Sequence, residues 1–446
     1  MEQNPLTVVT EIRADCLKKL KEYLKPIGDD IKNNNVIQFS DFSNLHYCCF
    51  IIIEDENPPT GSNKANPILV FEANIDGSVK VFLDGLCDKK PDFMRDVYDC
   101  CEGCPPDNQA LSTYLIKNDR GADTFYIAHP GQTRQVIKYQ GDLRQTVEDY
   151  VDANRPALIT LPLDQIKIKI IAHLTALDPE FTNKKPSPPS LFVKNGAAIV
   201  KGITVVVGIA LLAILFAAFG WVGGIGATLL AWSLIGLIIY YLIGLRRRES
   251  NDIQDERMHW DSEYLLDLQK IEDRQPQNHL SSIIYVKAGK FRLATLKLVL
   301  FLVNVVANVV ATKGNLSGIV TIHFARWVVL PGKGNQRTRL LFFSNYDGSW
   351  ENYLGEFIDH ASIGLTAIWS NTESGTDRGF PDTQWLVRGG ARDEQRFKAY
   401  ARNSQRRELI WYSAYPDLSV KNIGNNQKIH DGLFSDEELT AWLKRM

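Results

Sequence analysis

The chain has 446 residues, 45% of them hydrophobic and 23% charged, with a formal net charge of -2. That length leaves room for two or three domains. The composition is that of a globular protein, and the near-neutral charge gives no bulk electrostatic basis for binding nucleic acid.

The N-terminal run "MEQNPLTVVTEI" contains a strand and shows no apolar leader core behind a basic start. Residues 13–34 form an amphipathic helix, with Leu17, Leu20, Leu24 and Ile27 on one face. "LHYCCFIII" (45–53) and "PILVFEANIDG" (67–77) are predicted to pair as strands, and "DTFYIAHP" (123–130) is a further strand after a helical region. All seven cysteines lie between Cys16 and Cys104, an odd number that fits thiols in a reducing compartment. Cys101 and Cys104 have the C-x-x-C spacing of metal ligands without a second such pair, and ordinary loop thiols are the alternative.

"NKKPSPPS" (183–190) reads as a linker. From Gly202 to Leu245 no residue is charged. As one helix that stretch would run roughly 65 Å, about twice a bilayer core. The glycine-rich "GWVGGIG" at its middle predicts a hairpin of two membrane helices, near 202–219 and 226–245. Lys194 and Lys201 precede it, and Arg246, Arg247 and Arg248 follow it, so both flanks are predicted to face the cytoplasm. The expectation is a two-pass integral membrane protein with cytoplasmic N- and C-terminal domains and the lipid bilayer as a partner.

The second half begins with a strand in "SSIIYVK" (281–287) and an apolar helix over 293–312. Strands follow in "GIVTIHFARWVVL" (318–330) and "RLLFFSNYDG" (339–348), then a helix over 349–361 and a strand in "GLTAIWS" (364–370). The order is β-α-β-β-α-β, and the first half has the same order. "NIDGSV" (74–79) echoes "NYDGSW" (345–350), His46-Tyr47 matches His323-Phe324, and residues 136–151 align with 386–401. The chain reads as a duplication: an α+β fold of two tandem ferredoxin-like units forming a pseudo-dimer, with the transmembrane hairpin inserted between them. The predicted boundaries are a first unit over 1–182, a linker over 183–195 and the hairpin over 196–248. A charged juxtamembrane helix covers 249–280, and the second unit covers 281–446.

This layout resembles the dimeric α+β barrel superfamily and, as a fused pair, the dye-decolorising peroxidases and chlorite dismutase relatives. The resemblance implies two sheets set face to face and haem on one unit, with a histidine below the iron and an Asp or Arg above it. "SNYDG" keeps Asp347 and Gly348 of the peroxidases' G-x-x-D-G sequence and has Ser344 in place of the first Gly. "NYDGSWENYLGEFID" is also similar to a run found in bacterial membrane proteins.

On this reading His323, Arg326 and Asp347 are the candidate catalytic residues. The two-residue strand period puts His323 on one face with Ala325 and Trp327, and Arg326 on the other with Phe324. Arg326 is placed to pair with Asp347, and a buried ion pair without chemistry is the alternative. His360 is the candidate haem ligand, or simply a cation favoured at a helix C-terminus. The P-loop, G-x-G-x-x-G, H-E-x-x-H and G-x-S-x-G motifs are absent. Two functional readings follow. One is a membrane-anchored, peroxidase-like oxidoreductase with haem as candidate cofactor, acting on a lipophilic small molecule. The other is a non-catalytic, membrane-anchored ligand-binding or scaffold protein. Self-association into an oligomer is open in both.

Overall fold

The computed structural model describes residues 2–55, 57–184, 225–252, 262–270, 275–309, 318–374, 378–435 and 439–445, with a few isolated positions between them. The fold is mixed α+β with antiparallel sheets. The first half contributes β1 (Gln3–Glu11), α1 (Leu17–Asp29), β2 (Leu45–Ile53), β3 (Ile68–Asp76), α2 (Val79–Lys89), α3 (Pro91–Tyr98), α4 (Asn108–Asn118), β4 (Thr124–Ile127), α5 (Arg134–Leu158) and α6 (Leu163–Leu177). Between the halves lie α7 (Ile225–Glu249) and α8 (Ser262–Gln269). The second half opens with β5 (Gln277–Val286), α9 (Lys290–Val309), β6 (Ile322–Leu330), β7 (Arg339–Asp347) and α10 (Trp350–Trp369). The short strands β8 (Thr372–Ser374), β9 (Arg378–Gly379), β10 (Thr383–Gln384) and β11 (Arg388–Gly389) follow. The chain ends with α11 (Glu394–Ser404), β12 (Gln405–Arg406), β13 (Ile410–Ser413), α12 (Val420–Leu433) and α13 (Leu439–Leu443).

Of the two large sheets, one has the strand order β1-β3-β2-β13 and the other β4-β6-β7-β5-β8-β9, with β12 also paired to β5; β10 and β11 form a small separate sheet. The halves exchange strands. β4, from the first half, lies antiparallel to β6 of the second. β13, from the second half, lies antiparallel to β2 of the first. A bare sheet edge exposes a row of unpaired N–H and C=O groups, and each half closes this edge with a strand of the other.

The two sheets also pack face to face. Val9, Ile51, Ile53, Ile68 and Val70 of one meet Ile283, Val328, Leu330, Leu341 and Phe343 of the other. Their outer faces are covered by helices: α1 to α4 over the first sheet, α9 to α11 over the second. With both faces covered, the strands are buried almost throughout, as in other sheets covered on both sides.

Three expectations are corrected. Residues 364–370 are not a strand. α10 continues through them after a kink at Ala361 (φ -129, ψ 16), burying Leu365, Ile368 and Trp369 at helical spacing. Residues 136–151 lie within the single helix α5, whereas 386–401 run through β11 into α11, so the two stretches differ in structure. β4 leads into α5, and β13 leads into α12.

The third correction concerns the membrane. Among the described residues one helix, Leu229–Glu249 within α7, is long and apolar enough to cross a bilayer. A two-pass protein needs two such helices, so a two-pass integral membrane chain with both ends in the cytoplasm is not supported. Most of the expected first helix, 202–219, lies outside the described residues. The C-terminal end of α7 is built into the protein. Tyr241 stacks on Phe291 of α9, with ring centroids 5.1 Å apart. Glu249 accepts hydrogen bonds from the Trp385 and Leu386 N–H groups, both at 2.8 Å. Those two residues hold positive φ angles of 57° and 64°, a strained backbone for side-chain-bearing residues, and the buried carboxylate ties the turn down.

Candidate functional site

Each half carries a His–Asp pair where β2 or β6 meets its crossing helix. His46 falls between the register pairs Leu45↔Ile75 and Tyr47↔Asn74, and His323 between Ile322↔Tyr346 and Phe324↔Asn345. Each histidine is therefore the extra residue of a β-bulge, a device that re-aims a side chain. The bulge turns the His323 ring towards Tyr47 and Tyr415, at 5.5 and 6.3 Å between centroids. It does not share the helix-covered face of Ala325 and Trp327, as strict alternation predicts.

His323 Nε2 donates to Asp347 Oδ1 at 2.7 Å, and Asp347 Oδ2 accepts from the Val420 N–H at 2.7 Å. In the first half His46 Nε2 lies 3.0 Å from Asp76 Oδ1, misaligned for a hydrogen bond. Asp76 Oδ2 accepts from the Arg134 N–H at 2.8 Å. Each Asp thus meets the first N–H of its crossing helix, α5 or α12, where the helix dipole favours negative charge.

The surrounding bonds match as well. Ala414 N–H donates to His46 O and Ala128 N–H to His323 O, both at 2.9 Å. Asn4 Nδ2 donates to Gly77 O and Asn278 Nδ2 to Gly348 O, at 3.0 and 2.9 Å. Gly77 and Gly348 turn at φ +80° and +77°, a left-handed backbone that glycine adopts without steric cost. Ser349 caps α10 by accepting from the Asn352 N–H.

The two His–Asp pairs differ in access. His46 and Asp76 are buried, with Tyr415 Oη 2.8 Å from His46 Nδ1. Asp347 instead lies at the edge of an open cleft of ≈ 580 Å³. Glu351, Glu356, Asp359 and Glu394 line that cleft, against the two cations Lys398 and Lys421. Lys398 already pairs with Glu351 at 2.9 Å and Glu394 at 2.7 Å.

Arg326 is not beside Asp347. It reaches across the sandwich into the first sheet, fully buried. Nη1 donates to Leu6 O at 2.7 Å and Thr7 Oγ1 at 3.2 Å, and Nη2 to Ala73 O at 2.8 Å and to Asn74 Oδ1. Nη2 also pairs with Glu72 at 2.7 Å. Burial pushes the Glu72 carboxyl up, and the Arg326 guanidinium opposes that. Around this pair stand Cys49, His279 and Glu408. Burial raises the Cys49 thiol well above its usual value, lowers His279 to about 4 and raises Glu408 to about 7.

The remaining expected residues lie apart. His360 is exposed, on the last turn before the kink in α10. Cys101 accepts from Thr10 Oγ1 at 3.2 Å, while Cys104 lies 3.8 Å from Asp99 Oδ1. Among the described residues no third Cys, His or carboxylate converges on Cys101 and Cys104. The haem implied by the resemblance does not fit these residues: Arg326 is occupied by Glu72, His323 Nε2 by Asp347, and His360 faces outward.

Sequence reading missed Glu72, His279 and Glu408. Glu72 left a signal, as the one charge inside the apolar strand "ILVFEAN", which implies a buried cation opposite. Arg326 in "IHFARWVVL" left the complementary signal.

Two predictions follow. Arg326→Met leaves the Glu72 charge buried and unpaired, costing about 3–5 kcal/mol in chemical denaturation. Combining it with Glu72→Gln costs less than the sum of the single losses, by roughly 0.5–3 kcal/mol; strict additivity would refute the pairing. The second concerns His129, whose Nε2 donates to Val420 O at 2.9 Å and whose pKa burial lowers from 6.5 to about 4. The unfolded chain takes up this proton at higher pH than the folded one. Stability is therefore complete above 6.5 and falls as pH drops towards 4, by on the order of 3 kcal/mol. His129→Gln removes that component, measured as the difference in unfolding free energy between the two ends of the window.

Comparison with protein-family models, with curated proteins and with solved structures returns no match, so the functional reading rests on the geometry above.

Proposed function

We propose that the chain is a tandem pair of ferredoxin-like units, related by duplication, that works as a lipid-attached, non-catalytic binding or scaffold protein. The duplication is supported by matched contacts: the His46–Asp76 approach with the His323–Asp347 hydrogen bond, the Asn4 bond to Gly77 with the Asn278 bond to Gly348, and the Arg134 N–H on Asp76 with the Val420 N–H on Asp347. In the second half the strand order β6-β7-β5-β8 is that of a ferredoxin-like sheet.

The observation that carries the functional reading is α7. Its apolar window is only 11% buried, and Leu229, Leu230, Leu237, Ile238 and Ile239 stand in solvent. Such a surface seeks lipid or a partner. Where α7 docks, α9 adds exposed Leu298, Phe301, Leu302 and Val306. Arg246, Arg247 and Arg248 close the helix, where cations suit lipid headgroups. Among the described residues, one helix and one helix face supply this contact.

A catalytic reading draws on the Asp347 cleft. A His–Asp pair recurs at His46 and Asp76, where both side chains are buried, and that favours an architectural role for both. The cleft's excess of carboxylates suits a cationic small molecule instead.

The test is photolabelling from within the bilayer: full-length protein in phosphatidylcholine vesicles carrying a carbene-generating lipid, with modified peptides mapped by mass spectrometry. Label is expected in 229–243 and 298–306, and not on the helices covering the first sheet. Unlabelled 229–243 in protein that floats with the vesicles would contradict the proposal, as would protein that does not float.

A further inference from the structure

The matched bonds separate what is repeated from what is not. Cys49 stands opposite Glu72 on β2 and β3. At the corresponding places in the second sheet are Arg326 and Phe343, a register pair of β6 and β7. His279 of β5 pairs in register with Asn345, where β1 has Pro5 opposite Asn74. The interior polar cluster therefore exists once, and framework alone does not explain it.

Its donor atoms converge. One donor atom each from Cys49, Glu72 and His279 lie within 4.8 Å of one another, all three residues buried. His279 Nδ1 is 3.0 Å from Asn345 Oδ1, which leaves Nε2 facing the cluster. Glu408 Oε1 is 4.0 Å from that Nε2. Three of these buried atoms, Glu72 Oε2, His279 Nε2 and Glu408 Oε1, have no hydrogen-bond partner. A buried polar atom without a partner costs free energy, and a cation held among these donors would supply one.

We propose that Cys49, Glu72, His279 and Glu408 form a buried binding site for one divalent cation of the zinc class. A thiolate, an imidazole and two carboxylates suit a borderline-soft, tetrahedral ion, and a thiolate ligand disfavours calcium and magnesium. Tetrahedral ligands stand roughly 3.5 Å apart, so the Cys49, Glu72 and His279 donors draw together by side-chain rotation, and Glu408, outside that group of three, swings in further. Cys49 releases its thiol proton to solvent on binding. Three anionic ligands then balance the dication together with Arg326, which stays on the other Glu72 oxygen. With four protein ligands the site is closed, and its role is structural. Cys49 and Glu72 come from the first sheet, His279 from the second and Glu408 from the segment entering β13, so the ion fastens the two halves. The Glu408 side chain, 14% exposed, lies on the route of entry.

The test uses the full chain, stripped with chelator and reloaded with Zn²⁺ or Co²⁺. About one ion per chain is expected, with a thiolate-to-cobalt charge-transfer band in the near ultraviolet that Cys49→Ser abolishes. Folded wild-type protein that takes up no metal overturns the proposal, and so does an undiminished band in Cys49→Ser. If Cys49→Ser does not fold, X-ray absorption of the zinc-loaded wild type decides. One sulfur among nitrogen and oxygen ligands supports the site, and no sulfur, or two or more, overturns it.

Discussion

Sheet edges have to be closed, and this protein closes them by exchange. β2 and β6 would each present a bare row of backbone donors and acceptors, and each is paired by a short strand from the other half. The exchange fixes much else. It brings the two sheets face to face, because a strand that leaves one sheet must enter the other. It starts α5 and α12 beside the strand bulges, where Asp76 and Asp347 meet their first N–H groups. It also encloses an interior layer that neither half could bury alone.

That layer is graded along the strands. At one end Ile51, Ile53, Val70, Val328 and Leu341 make a dry contact. At the other, Tyr47, Phe324 and Tyr415 pack around the two histidines. Between them lie Arg326 and Glu72. Their burial is costly, and hydrogen bonds to Leu6, Thr7, Ala73 and Asn74 offset it by satisfying the guanidinium. Buried ion pairs of this kind add little net stability but penalise wrong pairings strongly. A slip of either sheet would leave both charges buried without their partners.

Most individual elements were legible because their signals are local. α1 shows its apolar face in Leu20, Leu24 and Ile27, and β2, β3, β6 and β7 are unbroken apolar runs. Residues 364–370 read as a strand because Thr, Ile and Trp suit strands, although Leu365, Ile368 and Trp369 stand at helical spacing. β13 left almost no trace: four residues behind a charged run, ordered by a partner some 360 positions away. The face of His323 was unreadable because a bulge shifts it, and bulges depend on the pairing of two strands. Arg326 was assigned to Asp347, its neighbour in the same half. Its partner is Glu72, the lone charge of an apolar strand in the other half, too distant along the chain for spacing to show.

Strand exchange between the halves is the central claim, and a designed cross-link tests it most directly. Tyr412 lies opposite Cys48 in the β13–β2 register, and directly paired strand residues stand at a separation a disulfide can span. A Tyr412→Cys chain, mildly oxidised while folded, should yield one peptide pair joined through residues 48 and 412, absent when Cys48→Ser is added. A folded chain that forms no such link, or that links residue 412 elsewhere, would place β13 outside the first sheet and contradict the account.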